Sequence, residues 1–515
     1  MTAGTGRDRQ GASGRVSVED GWKRKAREIR AQVRAPLVAG LAVFALLQLP
    51  HAERTFLGAP DRDMLETAFK LREGVAGGPA DPVLWLDLDL DALRAAGRGP
   101  EGRLVATAPR ATLADALTYA RRVDPRTGQG ARLVLLDVDL AWPDIDAGAQ
   151  AKLERELAAW AQDPDAPLLL LAREALTVDD GRAALPATAI DALVAAAPNM
   201  AWAGVGFLAD GSGGVREFAA GQCLAPGGGG GSSGGFMPSA ILFAAAAHAL
   251  PPDAAPAAIR AAAARLHPEA RARCAEALAR GGPTPAPVAG GRVAWHLGHG
   301  PGGAIRTARV AAPWRGGKPC GLEAPPPALT RASLADIAPA PTRADASALC
   351  GRMVVIGGDN PLLPDHAATP YGLTPGPVIL ANAMRGLVNA GPLDRAGWHP
   401  GRLALQLILL VLTVVAISGA FDAVARWRRL ARRIVARGRG PVTRTLGRLA
   451  SFLVHPLVFK FTVALTTFAL GAIVTAFGLE HGFWGVLSAP TYCAALTEAW
   501  RQLNADRRRA RGDEE

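Results

Sequence analysis

The apolar positions of this chain fall into two regimes. At the two ends they form long unbroken runs, one near the N-terminus and three close together towards the C-terminus. Between these ends they occur as short runs punctuated by Gly, Pro and Asp. The clearest long run, within 402–421, reads LALQLILLVLTVVAISGAF from Leu403 to Phe421 and has no ionisable side chain. At helical rise it is long enough to cross a hydrocarbon core of about 30 Å. A second span is expected over 457–479, with Lys460 near one end, where its ammonium reaches the interface. A third, over 482–499, is less apolar and contains Pro490, but Trp484 and Trp500 stand at its ends as interfacial anchors. Glu480 and His481 alone separate these last two, which predicts a hairpin. The N-terminal run, 35–50, is short and suits either an anchor or the core of a signal peptide. Leu49-Pro50-His51-Ala52 lacks a small-x-small cleavage pattern, which favours an uncleaved anchor; the cleaved alternative stays open.

The stretch from 51 to 401 has a different period. Val83 to Asp89 (VLWLDLD) is rich in strand formers, an amphipathic helix is expected over 111–122, and a second apolar run covers Arg132 to Asp139. A further helix over 146–162 leads into Leu168 to Leu171, and other candidate strands are 200–207, 292–297 and 352–358. Ala254 to Arg280 reads as helix broken at Pro268, with another helix starting near Pro377, while Gly227 to Gly235 and Ala324-Pro-Pro-Pro read as loops. Apolar strands separated by amphipathic helices predict a mostly parallel sheet covered on both faces. The fold class expected is therefore an α/β extracytoplasmic domain with a mostly parallel sheet, plus α-helical transmembrane segments.

Charge fixes the orientation. The formal net charge is +11, which by itself suggests nucleic acid. Much of the excess, however, lies beside the apolar runs: Lys23 to Arg34 before the first, Arg426 to Arg448 after the second, and Arg507 to Arg511 in the tail. With four spans all three clusters fall on one side, and the positive-inside rule makes that side cytoplasmic. The division expected is a basic N-terminus (1–34), a span (35–50), an extracytoplasmic domain (51–401), a span (402–421), a basic cytoplasmic loop (422–456), two spans (457–479 and 482–499) and a cytoplasmic tail (500–515). A multi-pass membrane protein follows, its main domain extracytoplasmic and both termini cytoplasmic. Its partners are the lipid bilayer, a periplasmic ligand of unknown identity, and a membrane or cytoplasmic protein, with no nucleic acid. The loop 425–449 also suits attachment to an anionic inner leaflet.

Of the five cysteines, Cys223, Cys274, Cys320 and Cys350 lie in the central stretch, as an oxidising compartment would allow. Four cysteines permit three pairings, and none has CxxC spacing. Cys320 with Cys350, which flank a loop before a strand, is the favoured disulfide.

Candidate chemistry centres on strand ends. Alternation puts Asp87, Asp89 and Asp91 on one side of the first run, and Asp137 and Asp139 occupy the same place after the second. The carboxyl ends of strands form the ligand crevice of open α/β sheets, so these carboxylates are candidates for a cationic ligand or a divalent metal. The competing reading is structural: aspartates there also cap helices and close turns, as Asp91 before Ala92-Leu93 would. A second candidate is the loop from Gly357-Gly358-Asp359 to Asp365 and His366, where paired glycines admit close approach. Asn382 shares a helix face with Val378 and Ile379 and is read as a structural, buried amide. GxSxG occurs only inside the Gly/Ser loop, within Gly230-Gly231-Ser232-Ser233-Gly234-Gly235, and not between a strand and a helix as a nucleophile elbow requires; there is no GxxxxGK[ST] loop and no HExxH helix, and nine histidines in 515 residues make a His-rich metal site a poor expectation. Neither catalytic residues nor a cofactor are assigned.

Gly351-Arg-Met-Val-Val-Ile-Gly-Gly, Asp365, Thr369-Pro370, Pro375-Gly376 and Ala381-Asn382-Ala383 resemble the C-terminal signature of CHASE2 domains. Leu86 to Leu93, Ala131 to Asp144, and Asp210-Gly211 with Val215-Arg216 are similar to further blocks of that family. Two positions depart from it: Leu380 stands where histidine is frequent, and Ala106-Thr107-Ala108 replaces a tryptophan-rich turn before Pro109-Arg110. The resemblance implies an extracytoplasmic sensory domain of a bacterial inner-membrane protein, and hence a periplasmic location for that domain. Relatives commonly continue into a cyclase, kinase or phosphodiesterase, whereas here Arg501 to Glu515 follow the last run, so the expectation is a sensor or regulator without its own output domain, signalling through a separate partner. The alternatives are an envelope scaffold and, third, a periplasmic hydrolase using the aspartates.

Overall fold

The computed structural model describes residues 83–96, 108–177, 183–209, 214–225, 235–280, 288–292, 307–309, 329–359, 365–369 and 372–390, with a few isolated positions besides. The chain divides into two compact units, and these elements belong to the one formed by Leu65–Arg395 with Ala476–Trp484. The four spans expected at 35–50, 402–421, 457–479 and 482–499 lie outside the described residues. Among the described residues no helix is long and apolar enough to cross a membrane.

Seven strands form a central sheet: β1 (Val83–Asp87), β2 (Leu133–Leu136), β3 (Leu168–Ala172), β4 (Met200–Ala203) and, later in the chain, β9 (Thr307–Arg309), β10 (Leu329–Ser333) and β11 (Met353–Gly357). Their spatial order is β9-β10-β1-β11-β2-β3-β4, and every neighbouring pair is parallel. β1, β2, β3 and β11 read as nearly unbroken apolar runs because both faces are covered. On one face Val83, Trp85, Leu133, Leu135 and Val355 pack with α5 (Ala240–Ala249) and α9 (Gly376–Ala390). On the other, Leu84, Leu86, Val134, Leu136 and Ile356 pack with α2 (Arg110–Ala120), α3 (Ala147–Gln162), α4 (Asp191–Ala196) and the short α8 (Leu334–Ile337). A one-turn-and-a-half helix, α1 (Leu90–Ala95), leaves β1 directly.

The apolar run expected as one strand over 200–207 is divided. β4 stays in the central sheet, while β5 (Phe207–Ala209) joins β6 (Val215–Leu224), β7 (Gly235–Pro238) and β8 (Val288–Arg292) in a separate antiparallel sheet. Gly204 and Gly206 separate the two segments and let the backbone turn from one sheet to the other. Of the strand expected at 292–297 only Arg292 is described, as the last residue of β8; 293–297 lie outside the described residues. Helices α6 (Pro256–Arg265) and α7 (Pro268–Ala279) divide where Pro268 predicted a break. Proline opens each of them, and His267 turns the chain in the left-handed region at φ 54°. Cys274 of α7 is disulfide-bonded to Cys223 of β6 with Cα atoms 5.4 Å apart, fastening the helix pair to the second sheet. Cys350 is also disulfide-bonded. Cys320, its favoured partner from sequence, lies outside the described residues.

Candidate functional site

The order of the central sheet creates its own crevice. From β1 the chain steps outward through β2, β3 and β4, then returns on the far side of β1 and inserts β11 between β1 and β2. The helices after β1 and β2 cover one face and α9, after β11, covers the other, so the connections part at the carboxyl ends of these three strands. Strand register puts Asp87 beside Gly357 and Leu136 beside Ile356, so Asp137 follows on the other flank of β11.

Asp87 ends β1 with no exposed surface. One carboxylate oxygen accepts the backbone N–H of Asp359 at 2.9 Å, and the other is ion-paired to the Arg331 guanidinium. Arg331 stands opposite Trp85 in the β1–β10 register, with its guanidinium 5.1 Å from the ring centroid and 3.5 Å from the Asp89 carboxylate. Burial is the largest influence on Asp87 and pushes its carboxyl up to about 7. The Asp359 N–H and the Arg331 charge act against it, while the neighbouring carboxylates of Asp89 and Asp359 reinforce it.

The other strand-end aspartates divide by task. Asp89 is the N-cap of α1, accepting the Ala92 N–H at 2.9 Å. That is the role the sequence suggested for Asp91, which instead stands exposed and pairs with Arg94 at 3.1 Å. Asp139 is exposed and closes a turn by accepting the Ala141 N–H at 2.8 Å. Asp137 keeps partial contact with solvent, yet surrounding protein and then the nearby Asp365 charge hold its carboxyl well above the usual carboxylate range. Asp87, Asp89 and Asp137 therefore share the crevice, and Asp139 points its carboxylate into its own turn.

The second candidate segment closes over the same edge. Two short antiparallel strands, β12 (His366–Thr369) and β13 (Gly372–Pro375), lead into α9. His366 Nε2 is 3.7 Å from the Asp359 carboxylate. The Asp365 carbonyl accepts the Gly376 N–H at 2.8 Å, and its carboxylate lies so close over Gly376 that a Cβ there would overlap it. Burial raises the Asp365 carboxyl, and His366 counters it. Gly357 is equally constrained, because a Cβ would collide with the Pro377 ring at the start of α9. Residues 360–364 of this loop lie outside the described residues. Asn382 is fully buried on α9. Among the described residues no group of three or more His, Cys, Asp or Glu side chains is placed to hold a metal ion.

Three arginines organise this edge and none was singled out from sequence. Besides Arg331, Arg173 follows β3, is 4 % exposed at its side chain, pairs with Asp191 at 2.5 Å and stacks 4.3 Å from the Trp202 ring. Arg110, fully buried at the start of α2, donates to the carbonyls of Asp139 and Trp142 at 2.9 and 2.6 Å. A signal was available for Arg173 alone, which follows the apolar run Leu168–Ala172, where burial obliges an arginine to find a partner.

The fold defined is a doubly wound α/β domain with a charged crevice at its strand carboxyl ends. The CHASE2 domain family matches residues 38–420, and the chain belongs to that family. CHASE2 domains are extracytoplasmic sensory domains, which fits a sensor role and a periplasmic location for the unit described. No curated protein and no solved structure matches the chain.

Proposed function

We propose that this protein is a membrane-anchored sensor or regulator whose extracytoplasmic CHASE2 domain acts through a separate partner, and that it is not itself an enzyme. The observation that supports this best is the chain of contacts leaving Asp87: through the Asp359 N–H to the loop, through Asp359 to His366, and through Asp365 to the first residue of α9. In sequence α9 is followed shortly by the run 402–421, read as the second span. A ligand or proton that alters the crevice thus alters the anchorage of the last described helix before that run. The carboxylates favour binding over catalysis, since Asp87, Asp89 and Asp139 are already engaged in an ion pair, a helix cap and a turn.

The basic segment 422–456 is the proposed contact for the partner, in the inner membrane or the cytoplasm. Reversal of charge at Arg428, Arg429, Arg432 and Arg433, in protein shown to be correctly inserted, is expected to abolish recovery of proteins crosslinked to the full chain. Deletion of residues 507–515 should leave recovery unchanged. Full recovery by the loop variant, together with complementation of a deletion strain by the domain alone, would replace this reading with a periplasmic activity or scaffold.

A further inference from the structure

The central sheet ends at β4, and the second sheet leaves part of that edge uncovered. At the carboxyl end of the strand Gly204 is bridged to Ser239: its N–H donates to the Pro238 carbonyl at 3.0 Å, and its carbonyl accepts the Ala240 N–H at 2.9 Å. Before Ser239 the chain belongs to β7, which pairs with β6 and not with β4. On the inner side of β4, Leu169 donates to the Asn199 carbonyl and Arg173 to the Ala203 carbonyl. By alternation Trp202, the residue in register with Leu171, turns both of its main-chain groups away from β3. Neither its N–H nor its carbonyl has a partner among the described residues. Arg173 stacks 4.3 Å from its ring and holds the residue in place.

Trp202 lines a cavity of about 460 Å³ that runs beside this edge, apart from the Asp87 crevice. Val194 and Ala195 of α4 supply one apolar wall, and Phe243 of α5 with Ala261 and Ala264 of α6 supplies the other. Arg260 of α6 bounds the cavity towards the amino end of β4, where its Nη1 donates to the carbonyls of Ala197 and Pro198 at 2.9 and 3.3 Å. Its Nε and Nη2, the side of a guanidinium that grips a carboxylate through two parallel bonds, have no partner among the described residues. Asp191 also lines the cavity, but Arg173 and Thr188 already hold its carboxylate.

We infer that this cavity binds a short free peptide, extended antiparallel to β4, with its C-terminal carboxylate on Arg260. An N–H and a carbonyl of one residue, both open at a sheet edge, are what a single residue of an antiparallel neighbour satisfies with its own pair. A strand running through the cavity is blocked at both ends, by the Gly204–Ser239 bridge and by the Arg260 tether, so the ligand must be short and must end at the arginine. The apolar walls suit small aliphatic side chains. Binding is a property of this cavity and does not depend on the sensory reading.

The full chain in detergent, titrated calorimetrically with trialanine, is expected to bind it saturably, and free alanine should not bind. The C-terminal amide of trialanine should bind about tenfold to a hundredfold more weakly, because it loses a charge-assisted pair of bonds. Methylation of the central peptide nitrogen should weaken binding about tenfold by removing a bond to the Trp202 carbonyl. Arg260→Lys, which keeps a cation beside Ala197 and Pro198, should erase most of the preference for acid over amide. Ala264→Leu, which narrows the cavity from α6, should abolish binding without lowering the unfolding temperature. Absence of saturable trialanine binding overturns the proposal, as does equal affinity for the amide or indifference to both variants. An N-terminally extended peptide with the same C-terminus that binds as tightly as trialanine would also overturn it, in favour of the tail of a partner protein.

Discussion

Arg331 reaches across the face of Trp85, its neighbour on the adjacent strand, to pair with Asp87, which has no exposed surface. A buried charge pair of this kind adds little net stability but makes each partner costly to remove alone. Arg331→Leu is expected to destabilise the protein by about 3–5 kcal/mol near pH 8, as read by thermal unfolding. The loss should shrink near pH 5, because Asp87 without its cation takes up a proton more readily. Adding Asp87→Leu should recover most of the loss, and a strictly additive double variant would contradict the pairing.

Asp87 also fixes a direction for the pH dependence. The folded protein holds its proton up to about pH 7, whereas the unfolded chain releases it near the ordinary carboxylate value of about 4. Across that window the folded state binds more protons, so stability falls as pH rises from about 4 to about 7 and levels off above. The drop from this one group is on the order of 4 kcal/mol. Burial raises Asp137 and Asp365 as well, which act in the same sense. Asp87→Asn should flatten the profile; an unchanged slope would remove Asp87 from the account.

Two glycines hold the loop against α9. Gly357→Ala would press a methyl into the Pro377 ring, and Gly376→Ala would press one into the Asp365 carboxylate. Each is expected to cost about 1–3 kcal/mol by denaturant unfolding of the full chain, with a neutral result contradicting the close approach.

The disulfide between Cys223 and Cys274 spans 51 residues. Replacing both with alanine should cost about 4 kcal/mol on the loop-entropy account. Non-reducing peptide mapping is expected to recover this bond and to show Cys350 joined to Cys320. Four free thiols would contradict both.

Much of the central sheet was legible because β1, β2, β3 and β11 are short apolar runs, whereas β9 (Thr307-Ala-Arg) and β10 (Leu329-Thr-Arg-Ala-Ser) lack such a run and were not expected. Thus β1, β3 and β11 appear within a residue or two of expectation, as do α2 and α3, while β2 stops at Leu136, short of the expected end at Asp139. The antiparallel sheet was not legible. β6 is broken by Gly221 and has irregular register with β8, so it shows neither clean alternation nor a continuous apolar run. Of the site, the strand-end aspartates were visible as a group, but their division of labour depends on where β1 stops. It stops at Asp87, and two residues decide whether Asp89 or Asp91 caps α1. Arg331 was invisible because its partner lies far away in sequence and only the pairing of β10 with β1 brings the two together.

The central claim is that the crevice-bearing domain lies outside the cell membrane while the arginine-rich segment lies inside. Single cysteines placed at Ser17, Ser212 and Thr443 and exposed to an impermeant thiol reagent in intact spheroplasts test this directly. Labelling at Ser212 alone is the result expected. Labelling at Thr443 would contradict the four-span arrangement and with it the proposed route from domain to partner.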